Sequence, residues 1–416
     1  MKRFLLYIFT LLAIASCSKN KIIDPIIDPD TTKSVSDGTL ENSCNQTTLI
    51  YFMGTNLRSY FNTNISDAQT AIASGALGKG GRFLYLIPTS YYSATLYELI
   101  QNGDECYKVE VKSYTFNSLL SSSVTEVIND VKDHVDYSTG SMSLNMVVSG
   151  HGTGWVLQDH PSLKSIATTE SIWDKAEGAL QTRFLGCSSD GYMDIEDLLV
   201  GIEDSDTKLG FLLFDMCFMS NIEALYRLRE CSEYIVASPC EVMGTGFPYT
   251  YVLPNFYTDN GYNFDMVAVC EAYNNYYTYI ASYKYGCVAM CVTSELDELV
   301  DAMKGLTYEE EIDTTELQSY EQLTDHVFYD FGDFINQAYA NDINLEAFNE
   351  QFDYTFPKAA RLNTDQYYTA LTGTQFGAYS VDYYSGVTTS DPSVKFRDDW
   401  ALEPWVIDTG RYLSIE

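Results

Sequence analysis

Short apolar runs alternate along the chain with amphipathic stretches. Leu49–Met53, Arg82–Ile87, Asn145–Ser149, Phe211–Met216, Tyr234–Ser238 and Val288–Thr293 read as strands. Between them, 67–77, 124–135, 195–202, 221–229 and 264–279 carry apolar residues at three- and four-residue steps, the spacing of one helix face. This alternation predicts an α/β fold with a mostly parallel sheet covered on both faces. In such sheets the ligand crevice lies outside the carboxyl ends of the strands.

Two of the predicted strands end in residues with chemistry to offer. Asn145–Ser149 runs into Gly150-His151-Gly152, and Phe211–Phe214 runs into Asp215-Met216-Cys217 before a helix that begins near Asn221. If the strands are neighbours, His151 and Cys217 face one another across one edge of the sheet. A thiol with a pKa of roughly 8.5 is mostly protonated at neutral pH and needs a base to become a nucleophile. His151 can take that proton and later hand one to a leaving amine. Glycines beside it let the backbone approach a substrate, so the N–H groups of Gly152 and Cys217 are candidate donors to a developing oxyanion. Taken singly, each residue has a plainer reading: a histidine in a glycine turn, and a cysteine packed at a strand end. The pairing points to chemistry.

Composition narrows the field. The 416 residues are 46% hydrophobic with 34 tyrosines and 21 phenylalanines, enough for one large core or two moderate ones. Lys+Arg number 24 against 58 Asp+Glu, a net charge of −34, which disfavours nucleic acid and favours basic peptide ligands. HExxH and GxSxG are absent and the four histidines are scattered, so zinc and serine hydrolase chemistry has no support. Gly150-x-Gly152-x-Gly154 lacks the helix and the Lys-Ser/Thr of a phosphate loop.

The N-terminus reads as an export signal. Lys2 and Arg3 precede an apolar run too short to span a bilayer comfortably, ending in Ile14-Ala15-Ser16-Cys17, which resembles a bacterial lipobox with Cys17 as the lipidated residue. The alternative is a plain signal peptide cut near Ser16. Residues 18–46, polar and with two Asp-Pro pairs, read as a tether. The cysteines show no compact disulfide framework, and most are expected to be reduced and buried.

The blocks SGHGTGW at 149–155, LLFDMCFMSNIEALYRLRE at 212–230 and EYIVASPCEVMGTGFPY at 233–249 resemble the clostripain family of cysteine peptidases, relatives of caspases and gingipains. LIYFMGTNLRSYF at 49–61 and TRFLGCSSDGYMDIEDL at 182–198 follow its general pattern. The resemblance implies a caspase-like three-layer α/β sandwich over 47–300, with 301–416 as a C-terminal α/β extension packed on it. It implies His151 and Cys217 as catalytic dyad, cleavage after Arg or Lys, and self-cleavage between histidine and cysteine. A basic side chain needs a carboxylate at the floor of its pocket. Asp215 and Glu241 are the candidates, against the readings of a backbone-bonded strand end and a solvated loop charge. For self-cleavage, the inserted region Val156–Phe184 offers Lys164, Lys175 and Arg183 as basic bonds, with Lys164 the first choice.

The acidic stretch SSDGYMDIED at 188–197 resembles a calcium loop, and some family members use calcium, but the ligand alternation is incomplete. Asp194 as N-cap and Asp197 three residues on explain it better. No cofactor is expected. The tyrosine-rich run at 271–285 reads as packing against the sheet. The chain is therefore expected to be a lipid-anchored endopeptidase of the bacterial cell envelope, on the outer membrane, periplasmic or surface-exposed, with peptide or protein substrates. The alternatives are a non-catalytic lipoprotein that keeps the fold and holds basic peptides, and an enzyme that passes peptides to amines.

Overall fold

In the computed structural model the described residues are 44–90, 92–116, 121–156, 179–180, 182–183, 193–307, 309–372 and 375–411. Cys17, Lys164, Lys175 and nearly all of the expected tether lie outside them. The six anticipated strands form, as β1 (Asn45–Phe52), β2 (Arg82–Ser90), β5 (Met142–Ser149), β6 (Leu209–Asp215), β7 (Ser232–Ala237) and β8 (Cys287–Val292). With β3 (Ser93–Asn102), β4 (Glu105–Thr115) and the short β9 (Leu362–Asn363) they make one sheet, ordered β9-β8-β7-β6-β5-β1-β2-β3-β4. The five central strands from β7 to β2 are parallel; β8, β9, β3 and β4 run antiparallel to their neighbours.

Side chains alternate between the two faces of each strand, and both faces are covered, which is why the central strands read as unbroken apolar runs. Leu49, Tyr51, Met146, Val148, Leu212 and Phe214 enter one core with the helices Ser121–His134, Ile195–Glu203, Ile222–Arg227 and Leu296–Gly305. Ile50, Phe52, Val147, Phe211 and Leu213 enter the other with Arg58–Ala73 and Met266–Asn275. The helix at 121–134 shows the cause: Val124, Val127, Ile128 and Val131 form one buried stripe. The result is the three-layer sandwich expected from the sequence.

The hairpin of β3 and β4 was not anticipated. Its outer strand, ECYKVEVKSYT, alternates polar and apolar positions and is mostly exposed, so it lacks the apolar run that marks the inner strands. Lys108, Glu110 and Lys112 place charges on that edge, which discourages pairing with another chain. Two local expectations change in detail. Asp194 does sit at the N-cap of its helix but makes no capping hydrogen bond, while Asp197 accepts one from the Ser121 amide at 3.2 Å and ties two helices together. The tyrosine-rich run divides: Tyr273 and Tyr277 are buried, whereas Tyr279 and Tyr283 are exposed.

Residues beyond 300 pack on the same body. β9 extends the sheet beside β8, and buried Glu223, in the helix Ile222–Arg227, accepts bonds from Thr389 Oγ1 and the Ser390 amide (both 2.9 Å) and from Trp400 Nε1 (2.8 Å). The eight described cysteines form no disulfide, and six of them are buried.

Candidate active site

β5 and β6 are hydrogen-bonded neighbours in parallel, with Ser149 paired to Asp215. His151 and Cys217 therefore each lie two residues past the same rung of the ladder, on the carboxyl rim. Gly152 brings the two loops together: a Cβ there would collide with the Cys217 carbonyl oxygen and sit 3.1 Å from the Cys217 nitrogen. Behind Cys217 the chain turns through Phe218 at φ 60°, a left-handed conformation that costs a bulky residue about 1–3 kcal/mol. Stacking of Phe218 on Phe328, centroids 4.5 Å apart, helps to hold it.

The His151 ring is oriented from the end of β1, where Asn56 Oδ1 lies 3.1 Å from Nε2. If Nε2 carries the proton and donates it to Asn56, Nδ1 is left as the basic nitrogen. Nothing but a single amide in the block at 49–61 hinted at this residue. If His151 is the base, replacing Asn56 with Ala is expected to lower kcat about 10- to 100-fold with little change in KM or melting temperature, since the ring loses its orienting partner. Steady-state kinetics beside a melting curve checks it.

Cys217 is fully buried, and Val242 donates its amide to Sγ at 3.2 Å. Burial, and then the Glu241 carboxylate, push the thiol well above its ordinary pKa, and the Val242 N–H only partly offsets them. The thiol is thus protonated in this state.

A segment of the chain itself lies on the same rim. Arg183 is 0% exposed and lies across the rim in the manner of a bound peptide. Its amide donates to the Val242 carbonyl at 2.7 Å, its carbonyl accepts from the Gly152 amide at 3.2 Å, and Thr182 forms an antiparallel bridge with Met243. Its guanidinium enters a closed pocket, with Nη1 3.0 Å from Asp215 Oδ2 and also donating to Ser149 Oγ, while Nη2 donates to Asn64 Oδ1 at 2.7 Å. Gly246, at φ 69°, forms one wall; a side chain there would occupy the position of the guanidinium.

Asp215 also accepts from the Phe247 amide (3.1 Å) and the Tyr249 hydroxyl (3.0 Å), so it both bonds backbone and pairs with a buried cation. Burial raises its carboxyl pKa, against the pull of Arg183 first and then of these donors. Glu241 lies elsewhere than the arginine pocket. It is neither a solvated loop charge nor a partner of Arg183: it is buried, and its oxygens are taken by Thr182, Thr369 and the amides of Ala370 and Leu371. Gly152, read as an oxyanion donor, holds the Arg183 carbonyl. Asn64, Gly246 and the 369–371 segment were missed in the sequence, where only the M-G-T-G-F glycines gave any signal.

Asp197 of the acidic stretch ties two helices together, and most of the stretch's other members lie outside the described residues. No group of three or more His, Cys, Asp or Glu among the described residues is placed to hold a metal ion. No helix among them is long and apolar enough to cross a membrane.

Comparison with known proteins follows the same line. The profile described as the clostripain family, Peptidase_C11, matches residues 93–353. The X-ray structure of iotapain, a secreted C11 cysteine protease from Bacteroides thetaiotaomicron, is similar at 27% identity and TM-score 0.76, over 88% of this chain and 99% of that one. An inactive zymogen C11 protease from Parabacteroides distasonis is similar at 24% identity and TM-score 0.70, over 89% and 99%. A secreted C11 cysteine protease from Bacteroides thetaiotaomicron bound to an irreversible peptide inhibitor shares 18% identity, with TM-score 0.70, over 88% and 98%. The last two bear on the fold alone. No curated protein matches the sequence.

Proposed function

The chain belongs to the clostripain family of cysteine peptidases, and from that premise we propose that it is an arginine-directed endopeptidase held as its own uncut substrate, with Cys217 as nucleophile and His151 as base. The observation that carries this reading is Arg183: its guanidinium meets Asp215, its carbonyl meets Gly152, and its amide meets Val242. A residue bound in these three ways presents the bond after it to the thiol. Self-cleavage then falls between Arg183 and Phe184, not after Lys164, which lies outside the described residues.

His151 takes the Cys217 proton as Sγ attacks the Arg183 carbonyl carbon. The Gly152 and Cys217 amides hold the resulting oxyanion. Collapse breaks the C–N bond, the amine of Phe184 leaves with the proton from His151, and a thioester remains on Cys217. Water, deprotonated by His151, releases the Arg183 carboxylate and restores the thiol. Lysine, with one compact ammonium, would reach Asp215 but cannot reproduce the two-sided contact to Asp215 and Asn64, so arginine is preferred. Membership in a peptidase family weighs against the alternative of a peptide-binding protein without catalysis. The lipobox-like run ending in Cys17 supports export and lipid anchorage at the cell envelope.

N-terminal sequencing of the fragments formed by purified full-length protein tests the assignment. A new terminus at Phe184 is expected. A terminus at Ser165 would place the cut after Lys164 and overturn it.

A further inference from the structure

We infer that Glu241 reads the residue before the arginine and selects a hydroxyl there, so that the cleft takes Thr-Arg or Ser-Arg sequences in preference to isosteric Val-Arg. This rests on the reading of Arg183 as the residue before the cut.

Leu180, Thr182 and Arg183 each meet the rim. The Leu180 amide donates to the Tyr368 hydroxyl at 2.7 Å, Thr182 bridges Met243, and the Arg183 amide meets Val242. At the second position from the cut the Thr182 hydroxyl donates to Glu241 Oε2, and both residues are buried. The other oxygen of Glu241 is already fully used: Oε1 accepts from Thr369 Oγ1 at 2.7 Å, the Ala370 amide at 2.6 Å and the Leu371 amide at 2.9 Å. Those three donors pin the carboxylate so that Oε2 points at the bound peptide.

Once the segment has been cut and has left, Oε2 faces the place of the second residue. A threonine or serine in a new substrate restores its donor. A valine fills the same volume and leaves a buried carboxylate oxygen without one, and a site built around a substrate hydroxyl discriminates strongly against the analogue that lacks it. The same stretch of backbone therefore does three things: Glu241 reads the second residue, the Val242 carbonyl aligns the first, and the Val242 amide holds the thiol.

The test uses the self-cleaved full-length enzyme and three fluorogenic peptides, Leu-Gln-Thr-Arg, Leu-Gln-Ser-Arg and Leu-Gln-Val-Arg, each with the reporter amide after arginine. The kcat/KM values for threonine and serine are expected to exceed that for valine by ~10- to 100-fold. In Glu241→Gln the charged acceptor becomes an amide, and the gap should shrink below about tenfold. Cleavage of the valine peptide by the unaltered enzyme within threefold of the threonine peptide overturns the inference and leaves the arginine reading intact. Failure to cut all three, with cleavage after another residue type, overturns the arginine reading and this inference with it. Because the peptide series is run on the unaltered enzyme, a misfolded variant does not rescue the idea.

Discussion

Cys217→Ala protein is expected to stay whole under conditions in which the parent chain divides after Arg183, and its activity on arginine peptides should fall about 10^4-fold or more, to the level of buffer. The truncated side chain also deprives the Val242 amide of its acceptor, a loss of about 1 kcal/mol that should leave the protein folded. Electrophoresis over time reads the result directly. Since Arg183 already lies in the cleft of its own chain, the fraction cut by the parent should follow first-order kinetics with a rate independent of protein concentration. Breakage of Cys217→Ala at the same rate would assign the cut to another protease.

The second large effect concerns Asp215. In the uncut chain it faces Arg183 across 3.0 Å, and neither residue is exposed. Neutralising one partner of such a pair leaves a buried charge without its counter-charge, at a cost of about 3–5 kcal/mol. On a Cys217→Ala background, where no cleavage intervenes, Asp215→Asn should therefore lower the melting temperature markedly. Adding Arg183→Met should restore most of the loss, because the stranded cation is gone, and a double-mutant cycle over the four proteins yields the coupling. In the active enzyme the same Asp215→Asn change should reduce kcat/KM for arginine peptides about 10^3-fold. Equal melting temperatures across the cycle would remove Asp215 as the counter-charge.

The sequence carried the frame of the site further than its contents. Strand ends are legible because a buried parallel strand is a continuous apolar run and its termination is abrupt. This located His151 and Cys217 on one rim, two residues past the Ser149–Asp215 rung. The occupant of the cleft was not legible. Arg183 reaches Val242 through a contact that no periodicity announces, and in the sequence it is one of four lysines and arginines between the histidine and the cysteine. Glu241 shows the same limit: its role depends on Thr369, Ala370 and Leu371, which lie 128 to 130 positions away. Its buried state cannot be read from a loop that looks polar. The β3–β4 hairpin was missed for the opposite reason, since its outer strand satisfies solvent rather than a core.

The sheet order has a consequence for what self-cleavage leaves behind. β5 and β6, one from each side of Arg183, are adjacent in the middle of the sheet, with β1 to β4 beyond the first and β7, β8 and β9 beyond the second. The two fragments share one ladder and both hydrophobic cores, so they should migrate separately in detergent yet elute as a single species from a sizing column. Once unfolded, however, they can rebuild that central seam only by meeting in solution. Cutting one peptide bond thus turns recovery from denaturation from a unimolecular event into a second-order one, and the mature enzyme's endurance comes to depend on how slowly its halves part.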